Sequence, residues 1–157
     1  MLLPFFNWAQ NSPVSNAILA SWWAGALINI GHLLSLVFFV GGLLIINLRL
    51  LGVGITNQTV RQVATDARPW MIAGFSGLAL TGVLQFVSLA TRNYYNFNFW
   101  FKMTFLLISI VFTLTIWRSV VFNDKTMSEQ GKAKLVGVIS IGLWGLVVIA
   151  GRLIGLT

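Results

Sequence analysis

Apolar residues in this chain come in long runs, and polar residues gather in the short intervals between them. Apart from His32, no ionisable side chain occurs before Arg49. The mostly apolar stretch from Ala17 to Leu51 is too long for one crossing, because about 20 residues span a hydrocarbon core. We divide it into a short interfacial helix over Val14 to Ser21, opened by Pro13, and a first span from Trp23 to Asn47. The second span runs from Trp70 to Leu89, the third from Phe99 to Trp117, and the fourth from Leu135 to Leu156. The pattern predicts an all-α integral membrane protein. It is a single domain over residues 1–157, a four-helix transmembrane bundle with one short interfacial helix at its N-terminal side.

Tryptophan positions support this division. Trp22, Trp23, Trp70, Trp100 and Trp117 fall at predicted span ends, where an amphipathic ring prefers the headgroup layer. Trp8 lies in the N-terminal segment, and Trp144 is mid-span. Pro69 precedes the second span, and Thr126 with Glu129 has capping-box spacing ahead of the fourth. Between the first two spans, Asn57 to Arg68 reads as an amphipathic helix with a narrow apolar face, lying on the membrane. The N-terminal segment to Pro13 lacks the basic region and unbroken apolar core of a signal peptide, so the first long apolar segment is expected to remain in the mature chain.

Composition agrees: 57% of residues are hydrophobic and 8% charged. That is too few charges to cover a soluble surface, where roughly a quarter is usual. The net charge of +7 does not indicate nucleic acid, because the basic residues form no run and lie at the ends of apolar stretches, facing lipid headgroups. Seven of the ten lie on one side (Arg49, Arg61, Arg68, Arg118, Lys125, Lys132, Lys134) and three on the other (Arg92, Lys102, Arg152). The positive-inside rule places the seven in the cytoplasm and both termini in the periplasm. With no cysteine, the chain can form no disulfide, thiolate metal site or cysteine nucleophile.

Helices in lipid associate through close backbone approach, so small residues mark seams. Ala73, Gly77, Thr81 and Gln85 form one stripe on the second span, widened by Gly74 and Gly82. Gly142, Gly145 and Arg152 share a face on the fourth, and Lys102, Ser109 and Thr113 lie together on the third. A polar cluster of Asn29, His32, Gln85, Lys102 and Arg152 occupies the outer half, with Lys102 and Arg152 expected to snorkel to the headgroups. Its members include no carboxylate; Asp66, Asp124 and Glu129 all fall in cytoplasmic loops. Paired-acid proton relays and a Ser–His–Asp triad therefore lack an acid at this depth, and we assign no catalytic residue and no metal site. Two readings of His32 remain open. It is a hydrogen-bonded structural residue with Asn29 as a partner, or an axial ligand to haem b, with the second ligand coming from another copy or subunit.

Four short pieces point to a family. They are His32 with Asn47-Leu48-Arg49-Leu50-Leu51-Gly52; Pro69-Trp70 with Gly74-Phe75, Thr81-Gly82 and Phe86; Tyr95, Asn96 and Phe99 before Lys102; and Trp144 with Ala150-Gly151-Arg152. On these the chain resembles an uncharacterised family of small four-helix bacterial inner-membrane proteins, itself distantly similar to the membrane domain of copper-resistance D proteins. The resemblance implies the fold and the inner membrane, and it implies no activity. It leads us to expect an aspartate where this chain has Asn47, a departure that removes a charge partner for Arg49. The functional expectation is a non-catalytic membrane subunit or interaction protein, in a homo-oligomer or a larger membrane complex. The alternatives are a haem b-binding electron-transfer subunit, or a small transporter or channel that receives an anion at Asn29, His32, Gln85 and Arg152.

Overall fold

The computed structural model describes residues 2–55, 57–123 and 130–155. Two short helices open the chain, α1 (Leu3–Gln10) and α2 (Pro13–Ala20). Then come α3 (Ala24–Leu50), α4 (Val60–Ser88), the short α5 (Ala90–Tyr95), α6 (Phe97–Phe122) and α7 (Gln130–Ile154). Among the described residues α3, α4, α6 and α7 are the four helices long and apolar enough to cross a membrane. Their lateral surfaces are apolar; Val37, Leu80 and Leu107 are each about two-thirds exposed (68, 66 and 68%). A chain that turns such residues outward on every long helix has hydrocarbon, not water, as its solvent.

The helix ends follow local rules. Ser12 caps α2 by accepting from the Ser15 amide at 3.3 Å, with Pro13 in the first turn. At the end of α3, Gly52 takes φ +81°; its amide donates to the Arg49 carbonyl and the Val53 amide donates to the Leu48 carbonyl at 2.9 Å. This pair of bonds is a Schellman motif, and the left-handed position is why the stop falls at a glycine. Helix α4 begins with a capping box: Thr59 Oγ1 accepts from the Gln62 amide at 3.2 Å and the Thr59 amide donates to Gln62 Oε1 at 3.0 Å. The Thr126–Glu129 box expected ahead of the fourth span lies outside the described residues.

Three expectations need correction. The segment 57–68 is not a separate helix on the membrane, because α4 runs unbroken from Val60 through Pro69. Proline there removes one amide, but Val60, Val63 and Ala64 are buried against Ile46, Leu50, Trp117 and Val121. The narrow apolar face fits an interhelical groove, and its burial offsets the lost hydrogen bond. The interfacial helix is preceded by a second one, α1, which the broken apolar pattern of the first residues does not reveal. Phe6 anchors it, with ring centroids 5.2 Å from Phe86 and from Tyr94, while the Thr91 amide donates to Gln10 Oε1 at 2.7 Å. Finally, the third span extends past Trp117 to Phe122 and contains a π-helical segment, Thr113–Trp117.

That segment has a packing consequence. Ser109, Trp117 and Val121 are buried and Thr113 half-buried, a spacing of four held over three turns. An α-helix advances about 100° per residue, so each step of four drifts by about 40°. A π turn absorbs most of the accumulated drift and keeps these residues on one face.

Helix α3 packs most extensively on α4, and α6 on α7; an α3–α7 contact joins the two pairs. Apolar clusters are stacked along the bundle. Ile46, Leu50, Val63 and Trp117 lie at the loop end, Phe39, Leu43 and Trp144 near the middle, and Phe6, Ala9, Ala90 and Phe99 at the other end. Ile154 packs on the last of these, so α1 and the C-terminal turn of α7 share one end of the bundle. We call it the α1 end.

Candidate functional site: the polar crossings of the bundle

Among the described residues, three hydrogen-bonded crossings tie the four long helices together, one per level. At the loop end Asn47 is fully buried. The Trp117 indole donates to Asn47 Oδ1 at 2.8 Å, and Asn47 Nδ2 donates to Ser140 Oγ at 2.9 Å. An indole N–H can only donate, so it dictates which way the amide faces. One side chain of α3 thereby links α6 and α7. In the middle, Trp144 of α7 donates from Nε1 to Thr113 Oγ1 at 3.1 Å, at the start of the π segment.

The third crossing belongs to His32, the ninth residue of α3. Its Nδ1 lies 2.8 Å from Thr81 Oγ1 on α4, and the same hydroxyl donates to the Gly77 carbonyl at 2.6 Å. A hydroxyl has one proton, and Thr81 gives it to Gly77. Towards His32 it is then left as an acceptor, which a neutral imidazole meets with its proton on Nδ1 and its lone pair on Nε2. Gly82 lies beside the ring, where an added Cβ would sit 3.6 Å from Cε1. Thr81, not Asn29, is the partner of His32; Asn29 is exposed on α3.

The α3–α4 seam is as close as its small residues suggest, with a shift in membership. A Cβ at Gly74 would come 2.6 Å from the Phe39 amide nitrogen and 2.8 Å from the Ser35 carbonyl, and one at Gly77 would run into Ser35 Oγ. Ala73 is exposed, so Gly74 takes the place the stripe gave it. Gly142 and Gly145 depart further. A Cβ at either meets no atom within 4 Å, and α7 packs instead through Gly137, Ser140, Trp144 and Val147. The buried tryptophan at 144 turns the helix so that Gly142 faces outward, with the half-exposed Gly145 beside it.

The expected outer cluster divides. Lys102, half-buried, lies across α6 onto α7, where a Cβ on Gly151 would be 3.5 Å from its Cε and Nζ. Gln85 is half-buried on α4, while Asn29 and Arg152 are exposed. Lys102 and Thr113 both meet α7, at Gly151 and Trp144, and Ser109 between them is buried. Trp117, placed by pattern in the headgroup belt, is buried, whereas Trp22 is 93% exposed.

The Asn47–Trp117–Ser140 crossing joins residues too far apart in the chain for its pattern to reveal. Its one visible signal was an amide at the end of an otherwise apolar helix. Arg49, which the missing aspartate would have paired, instead donates from Nε to the Gln58 carbonyl at 2.7 Å. Searches of curated proteins and of solved structures gave no match. The family comparison did: residues 5–157 match DUF6644, a family of unknown function, and the chain belongs to that family.

Proposed function

We propose that the protein is a non-catalytic subunit of a membrane assembly, binding a second copy or a larger complex through the outward face of α7. The open face at Gly142 and Gly145 carries this reading. Two glycines three apart, unused by the bundle, leave a shallow track in which another helix can lie backbone to backbone. The chain has no cysteine, so Gly142→Cys is a clean probe. Oxidative cross-linking in native membranes is expected to give a homodimer or a discrete heteroadduct. A ligand-free monomer with no adduct would overturn the proposal.

The proposal places the chain in a bacterial inner membrane with the α1 end in the periplasm, supported by the excess of Lys and Arg at the other end. A distant kinship with the copper-resistance D membrane domain is part of it, supported by the four-span pattern with His32 in the first span.

The His32–Thr81 bond favours a second reading, haem b. A metal-binding imidazole commonly donates its other N–H to a fixed partner, and here that geometry leaves Nε2 with a lone pair. This chain has one histidine, so bis-histidine ligation needs a second copy or a partner. Protein purified from haem-replete cells should then show a Soret band that His32→Ala removes; a colourless, iron-free preparation excludes it.

A further inference from the structure

We infer that Lys102 is the cation of a phosphate-binding site at the α1 end of the groove between α6 and α7. Lys102 is the sixth residue of α6, about 8 Å along the helix at 1.5 Å per residue. Its Cδ, Cε and Nζ lie along Gly151 of α7, where a Cβ would touch all three at 3.5–3.8 Å. The ammonium sits beside a neighbouring backbone in a gap that glycine keeps open; a larger side chain would take its place.

No described side chain neutralises it there. Among the described residues Lys102 has neither an ion-pair partner nor an acceptor for its ammonium. The chain has three acidic residues. Asp66 lies on the far side of Pro69, towards the loop end of α4, and Asp124 and Glu129 fall in the connection from α6 to α7. His32 has its Nδ1 on Thr81 and supplies no negative charge. Arg92 and the exposed Arg152, directly after Gly151, add positive charge at the same end.

An ammonium within a span, without a counter-charge, is costly in hydrocarbon and is stabilised by an anion from outside the chain. Lys102 is one and a half turns from the start of its helix, within reach of the leaflet's phosphate layer. The ligand is therefore an anionic phosphate group, carried by a lipid headgroup or free in solution. This inference does not depend on the assembly proposed above.

The test uses the full chain. One arm is native mass spectrometry after release from nanodiscs of phosphatidylcholine containing a minor fraction of phosphatidylglycerol. The other is titration of the detergent-purified protein with inorganic phosphate. Wild type and Lys102→Arg should retain the ligand, and Lys102→Met should weaken it on the order of tenfold, as for loss of a charge-assisted hydrogen bond. Gly151→Leu should cause the same loss with the lysine intact, which separates ligand binding from a folding defect in Lys102→Met. Retained phosphatidylglycerol identifies a headgroup site, and a phosphate adduct with the same dependence identifies a free anion. Equal binding by wild type, Lys102→Met and Gly151→Leu in both arms overturns the inference.

Discussion

The largest consequences of single residues lie at Asn47 and Thr81. Asn47 satisfies a donor on one helix and an acceptor on another, so Asn47→Leu strands the Trp117 indole and the Ser140 hydroxyl in a dry core. Membrane hydrogen bonds are worth about 0.5–2 kcal/mol each. We expect a total loss of about 1–3 kcal/mol, visible as a lower midpoint in detergent-induced unfolding. Thr81→Val leaves the fold in place but removes the acceptor that holds the His32 proton on Nδ1. Nitrogen-15 NMR should report an Nδ1–H tautomer in wild type and a mixture in the variant; identical spectra would contradict the assigned bond. Neither role was legible beforehand. A histidine in a span was an obvious candidate, but its partner is 49 residues away, and nothing near His32 in the chain marks Thr81.

At the scale of elements, glycine separates two kinds of helix face. Gly74 is in contact with the backbone of α3, so Gly74→Leu must push the helices apart, at a cost of about 1–3 kcal/mol or more. Gly142 faces open space, and Gly142→Ala should be neutral or stabilise the isolated chain by up to about 1 kcal/mol through helix propensity. Thermal melting of the two variants side by side checks the contrast, and a large loss in Gly142→Ala would show that α7 packs by another face. Both glycines read alike in sequence, as small residues in an apolar run. Pro69 illustrates the same limit: it reads as a helix start, and tertiary burial of Val60, Val63 and Ala64 carries the helix through it.

At the scale of the whole molecule, placement of the α1 end in the periplasm has a direct measurement. The exposed Asn11 and Arg92 lie at that end, and exposed Arg61 lies at the other. Single cysteines at 11 and 92 should react with a membrane-impermeant maleimide in intact cells, and one at 61 should react only after permeabilisation. The reverse pattern would invert the topology and, with it, the side from which Lys102 is reached.

The number of spans, their approximate limits and the segregation of charge were all readable from the chain alone. They depend on local sums: a run of about 20 apolar residues matches the bilayer thickness wherever it occurs, and basic residues stay near headgroups whatever the helices do inside. Tertiary structure alone decided which face of each helix meets which neighbour. Seating Trp144 and Trp117 in the core turned Gly142 outward, joined Asn47 to Ser140, and required a π turn in α6. Those choices rest on packing and hydrogen bonding between residues distant in sequence. In hydrocarbon every lateral face is equally soluble, and so hydropathy carries no record of them.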